Sequence, residues 1–329
     1  MSPPGRPALT QQLLDALAAF RFKTAGDIDD FFQKRKSKPY IAWFNEKLAG
    51  KAPWESLSLV DSRQNDIGFH RFWNQIGLLY GVPGISVVQF TALMSILSNE
   101  VRGNFAPAAE KLGRAGHPGL AYAFNRIDGV KKSYNTLSGN KTAFECFNNP
   151  GFIAAHGGLP LGAQLARTSD TRWNGEVYPS GFATAPRLQT AGFLMQADFM
   201  KFRGRGFIQT TGRMGYIALI DFIQAYKGEN STIDFYRTKW KDKSPVEIAY
   251  ESTNEDWDAL FQQTDLIVAC EAVRAHNQDA GNYLALAPAA AALNGAGAGS
   301  LFNMGKRIGG ADRYAELFAA RVAAVVAAI

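Results

Sequence analysis

The chain has 329 residues, 47% of them hydrophobic, with 35 Lys and Arg against 29 Asp and Glu for a net charge of +6. That apolar share supplies a sizeable core for one large domain or two smaller ones, which excludes a disordered or low-complexity chain. Two cysteines, Cys146 and Cys270, are too few for a disulfide-built scaffold and are expected as free buried thiols.

Residues 9–50 predict helices: Leu13, Leu14, Leu17 and Phe20 recur at helical spacing, and Phe31, Phe32 and Tyr40 to Phe44 add aromatic bulk. Lys34 to Lys38 is a short basic run expected as a solvated turn. No secretory leader is visible, because Leu13 to Leu17 is broken by Asp15 and no small-residue cleavage site follows. The expectation is a chain made in the cytoplasm and delivered by other means if it acts outside. Residues 52–85, with Pro53, Gly81, Pro83 and Gly84, suggest a link, so 1–85 is expected to be an accessory helical segment and 86–329 the main domain.

Residues 86–101 predict the strongest helix, with Phe90, Leu93, Met94 and Leu97 on one apolar face and Gly103 as its stop. Glu100 falls at the edge of that stripe, beside Leu93. A carboxylate there is partly desolvated and faces the negative end of the helix dipole. Both effects disfavour ionisation, as a general acid at neutral pH requires. The plain alternative is a surface glutamate at a fraying helix end. Residues 115–200 are rich in Gly, Asn, Pro and aromatics and predict long loops. Helices are expected over 216–226, 255–278 and 312–328, joined across 285–299, with at most a small sheet or hairpin in the middle. The apolar run Phe318 to Ile329 is interrupted by Arg321 and too short to span a bilayer, so no membrane insertion is expected.

Residues 203–216 read Arg-Gly-Arg-Gly-Phe-Ile-Gln-Thr-Thr-Gly-Arg-Met-Gly-Tyr. Glycines around Arg205 suit a backbone passing close beneath a ligand, with polar side chains lining the floor; a basic loop entering a helix is the plain alternative. Gly204 to Thr211 resembles the Gly-Arg-Gly-x-Ile-Gln-Leu-Ser/Thr signature of glycoside hydrolase family 19, the plant-type chitinases and cell-wall lysozymes. Leu293-Asn294-Gly295-Ala296 is similar to that family's Ile-Asn-Gly-Gly. Gly305 to Gly309 with Arg313-Tyr314 resembles its closing segment, and Ser98-Asn99-Glu100 stands where the family has His-Glu. The resemblance spans about residues 86–329 and leaves 1–85 outside.

It implies a mainly α, lysozyme-like domain with a small β element and long cleft loops. The expected enzyme cleaves β-1,4 bonds between N-acetylated amino sugars with inversion, which takes an acid and a carboxylate that activates water. Glu100 is the implied acid. Glu110, after Gly103-Asn104-Phe105, is favoured as the second carboxylate, with Glu176 as the other candidate. Thr211 matches the residue that holds the attacking water, and Arg307 matches a buried arginine near the acid. Arg205, Gln209, Tyr216 and Asn294 are the expected substrate contacts, the amides because each both donates and accepts. Peptidoglycan is preferred over chitin, and a non-catalytic glycan-binding relative is the alternative from another class. An immunity protein or delivery machinery would be further partners, and the bacterial cell wall or periplasm the site of action.

The chain departs from the family at Asn99 for histidine, Gly215 for asparagine and Ala296 for the second glycine. The first bears on tuning of the acid, the second on efficient chitin hydrolysis. His70, His117, His156 and His276 show no close ligand pairs, so no metal or cofactor is expected. No helix-turn-helix, zinc knuckle or aromatic-basic signature points to nucleic acid, although the positive charge suits an anionic polymer.

Overall fold

The computed structural model describes residues 7–81, 83–101, 103–109, 201–263, 265–276 and 289–329, leaving aside the side chains of 77–79, 99–101, 214, 250 and 271–276. Helices make up 64% of the interpretable residues, so the chain is mainly α. It divides into two compact units, Met1–Pro107 with Val268–Ile329, and Ala108–Ile267. The expected boundary at residue 85 therefore falls inside the first unit. Strand β1 (Arg21–Phe22) pairs there with β2 (Ile85–Ser86), so residues before and after 85 share one core. Among the described residues no helix is long and apolar enough to cross a membrane.

In the first unit, hydroxyl caps start the helices. Thr10 accepts from Leu13 N–H at α1 (Gln11–Ala18), and Ser62 accepts from Asn65 N–H at α4 (Arg63–Tyr80). At α2 (Ala25–Lys36), Thr24 and Asp27 satisfy each other's N–H groups in a capping box. Helix α3 (Tyr40–Lys47) completes the N-terminal set. Their apolar faces bring Phe22, Phe31, Phe32, Tyr40, Trp43, Phe69, Trp73 and Phe90 into one aromatic cluster. Tyr40 meets Phe90 edge-on at 4.9 Å and Phe32 at 5.0 Å. Burial pushes the Tyr40 hydroxyl well above its ordinary pKa.

Helix α4 lies within the stretch expected to be a link. Phe69, Phe72, Trp73 and Ile76 are buried at helical spacing, a pattern visible in the sequence but obscured by the flanking prolines and glycines. Gly68 interrupts it because a Cβ there would come within 2.1 Å of the Phe105 carbonyl oxygen.

Helix α5 (Val87–Val101) is predicted as amphipathic but is buried on every side from Val87 to Ser98. Its hydroxyls make this possible. Thr91, Ser95 and Ser98 each donate to the carbonyl four residues earlier, at 2.9, 2.9 and 2.7 Å, so these three hydroxyls are satisfied in the core.

The second unit contains α6 (Arg213–Ala225), α7 (Ser231–Lys239), α8 (Pro245–Glu251) and α9 (Asn254–Gln263). Its core joins Tyr216, Leu219, Ile220 and Ile223 of α6 to Ile233, Tyr236, Trp240, Ile248, Trp257 and Leu260. Strand β3 (Ala108–Ala109) pairs antiparallel with β4 (Arg205–Gly206). Helix α10 (Asp265–His276) contains the division between the units, and α9 and α10 occupy the stretch expected to be helical over 255–278, with residue 264 outside the described residues. The first unit ends with α11 (Ala290–Asn294), α12 (Leu301–Gly309) and α13 (Asp312–Ala328). Cys270 is buried as expected, and Cys146 lies outside the described residues.

Candidate active site

The residues singled out from the sequence divide between the two units. Glu100, Asn294 and Arg307 belong to the first, and Arg205, Gln209, Thr211 and Tyr216 to the second. Glu110 and Glu176 lie outside the described residues.

Glu100 is the penultimate residue of α5, and the backbone from Gly103 to Phe105 is tied to neighbouring segments. Gly103 takes φ +80, and a Cβ there would meet the Ser58 carbonyl oxygen at 2.2 Å, so only glycine fits. The Gly103 carbonyl accepts from Val60 N–H at 3.0 Å and Asn65 Nδ2 at 3.2 Å. Asn65 Oδ1 in turn accepts from Phe105 N–H. A buried asparagine thus fixes the backbone just beyond the candidate acid.

The Gly-Arg-Gly segment forms a tight turn. Arg205 and Thr210 bridge through both backbone bonds, Gly206 and Gln209 take the left-handed φ values +87 and +57, and Gly212 N–H closes onto the Phe202 carbonyl at 2.9 Å. Gly204 lies under the polar side chains. A Cβ on it would approach Gln209 Oε1 to 2.9 Å and Thr211 Oγ1 to 3.2 Å. The exposed Thr211 hydroxyl donates to the Gln209 carbonyl at 2.7 Å. With its proton committed there, its oxygen can only accept from an incoming group. Gln209 Nε2 donates to the Ala108 and Gly206 carbonyls at 3.1 and 3.0 Å, so its donors are occupied by β3 and by the turn itself.

Three expected contacts are engaged within the protein. Arg205 is fully buried. Its Nε donates to Asp258 at 2.8 Å, Nη1 to the Lys201 carbonyl at 2.7 Å and the Tyr216 hydroxyl at 2.8 Å, and Nη2 to Asn254 Oδ1 at 2.7 Å. Tyr216 is equally buried, packed edge-on against Trp257 at 4.6 Å, with its hydroxyl donating to the Arg203 carbonyl. Asn294 is exposed, but its amide grips the backbone of Leu9, Oδ1 accepting from N–H at 3.1 Å and Nδ2 donating to the carbonyl at 2.7 Å. An amide matches a peptide group as well as an N-acetyl group, and here the protein's own backbone takes it.

Arg307, expected to be buried, is exposed in the last turn of α12. Leu301, Met304 and Gly305 form the buried face of that helix, and Arg307 falls off it, where a cation complements the helix dipole.

Sequence reasoning missed Asp258, Asn254 and Arg203. Arg203 donates through Nη2 to both Asp258 oxygens, at 2.9 and 3.1 Å, and through Nη1 to Asn254 Oδ1. Burial, then the neighbouring Arg205 charge, lowers its pKa. The only available signal was arginine density, which does not identify a partner some fifty residues away.

A further group lies in the first unit, where Asp29, Asp66 and His70 offer ligand atoms within 4.8 Å of one another. His70 Nε2 bonds Asp29 at 2.9 Å, and the other Asp29 oxygen accepts from Tyr40 N–H at 3.0 Å. These bonds tie α4 to α2 and to the start of α3. Comparison with protein-family models, curated proteins and solved structures found no match.

Proposed function

We propose that the chain is a lysozyme-like glycoside hydrolase that cleaves β-1,4 bonds between N-acetylated amino sugars, with peptidoglycan preferred over chitin. The Gly204–Thr211 turn carries this reading. Bare backbone lies beneath two polar side chains, and an exposed hydroxyl is left with acceptor capacity alone. A water donating to Thr211 Oγ1 keeps a lone pair for attack on the anomeric carbon. Glu100 donates a proton to the leaving oxygen, and Glu110 takes the proton of the attacking water. Arg205 and Tyr216 support the floor from below rather than touching substrate. The wall polymer is the partner, and its compartment is reached after lysis or injection.

One observation favours a non-catalytic relative that keeps the fold: Tyr216, Arg205 and the Asn294 amide are all engaged within the protein. Mass analysis of digests separates the readings. Incubation with purified sacculi and with chitin should release soluble muropeptides from the first, faster than oligomers from the second. Intact polymer in both would leave only glycan binding.

A further inference from the structure

Beneath the turn, one carboxylate gathers groups that the proposed chemistry leaves unused. Asp258 Oδ1 accepts from Arg205 Nε at 2.8 Å and Arg203 Nη2 at 2.9 Å. Its Oδ2 accepts from Arg203 Nη2 at 3.1 Å and Asn254 Nδ2 at 3.2 Å. The two arginines flank Gly204, the residue over which Gln209 and Thr211 pack. The Arg205 backbone also holds the returning limb of the turn, donating to the Thr210 carbonyl at 3.4 Å and accepting from Thr210 N–H at 3.1 Å. A continuous series of bonds therefore runs from Asp258 through Arg205 to Thr210, next to the exposed hydroxyl.

We propose that Asp258 is a positioning residue, whose carboxylate locks Arg203 and Arg205 and so sets the Thr211 hydroxyl. What that hydroxyl does rests on the hydrolase reading; the locking itself does not. Two guanidiniums on adjacent sides of a glycine repel each other; Asn254 Oδ1 also accepts from both, but Asp258 is the acceptor they share that carries the opposing charge. The planar fork of arginine turns that point of attachment into a fixed orientation. Asparagine at 258 keeps the shape but removes the charge and turns an N–H₂ toward an arginine donor.

The test uses the full chain and two readouts. In folded Asp258→Asn, the amides of Thr210 and Gly212 should exchange with solvent about tenfold faster or more, reporting local opening of the turn. The amides of Trp240 and Ser252, hydrogen-bonded to Tyr236 and Ile248 in the same unit, should keep their wild-type rates. On sacculi, kcat should fall about tenfold with KM nearly unchanged, because orientation rather than binding is lost. Asp258→Glu, which restores the charge, should recover part of both. If Asp258→Asn does not fold, Tyr216→Phe removes one hydroxyl from the same bracket and should speed the same two amides by a smaller factor. Wild-type exchange at Thr210 and Gly212, or equal acceleration throughout the unit, overturns the proposal. An unchanged kcat in an active enzyme overturns it as well. A wild-type chain inactive on glycans that still shows the local exchange pattern removes the hydrolase reading and supports the bracket.

Discussion

The ring cluster around Phe90 in the first unit and the arginine–carboxylate cluster around Arg205 in the second hold their surroundings by different means. Around Phe90 the contacts are apolar, edge-on to Phe22 and Tyr40 and tilted to Phe32 and Trp73, so no single geometry carries the packing. Around Arg205 the contacts are directional, and three of its nitrogens each have a specified acceptor. Apolar packing tolerates changes that keep volume, whereas a buried guanidinium tolerates almost none, because a lost partner leaves an uncompensated charge. The turn with the candidate hydroxyl is built on the less forgiving of the two.

The largest effect that would sharpen this contrast is at Arg205. Arg205→Met leaves Asp258 and Asn254 short of a donor and should cost about 3–5 kcal/mol in denaturant unfolding, with Arg205→Lys recovering little because the fork is gone. A cost below that of a surface change would break the comparison. Gly305→Ala tests the backbone contact between α12 and α13, where a Cβ would come within 2.8 Å of Ala315 Cα; the expected loss is about 1–3 kcal/mol. Phe32→Leu, in the centre of the ring cluster, should cost only about 1–2 kcal/mol since neighbouring rings repack.

The smallest effect is seen only in alkali. Burial and the Asp256 carboxylate push the Tyr236 hydroxyl up from 10.0 to about 12. A raised pKa in the folded state means that its contribution is fully present below pH 10.0 and lost as the pH rises through about 12. Stability measured across that window should fall more steeply in wild type than in Tyr236→Phe. Parallel curves would contradict the assignment.

Periodicity alone made much of the helical framework legible. Leu14 and Leu17, Phe31 and Phe32, and the α5 and α13 runs mark helices that the fold contains. The passage of backbone close beneath polar side chains at Gly204 was legible too, from the paired glycines around Arg205. Polar pairing across long separations was not. Nothing local distinguishes an asparagine that grips Leu9, 285 residues away, from one that grips a sugar. Burial of Arg205 was equally hidden, because its carboxylate lies on α9, 53 residues on. Helix α5 was misjudged for a related reason: Thr91, Ser95 and Ser98 look like a wet face until their hydroxyls are seen turned onto their own backbone.

The hydrolase reading depends on the proton at residue 100, and the initial rate of sacculus solubilisation by wild type against Glu100→Gln tests it most directly. The account predicts a rate at least about a hundredfold lower in a variant that remains folded, since general acid assistance is lost while the turn stays in place. Equal rates for the two proteins would contradict it.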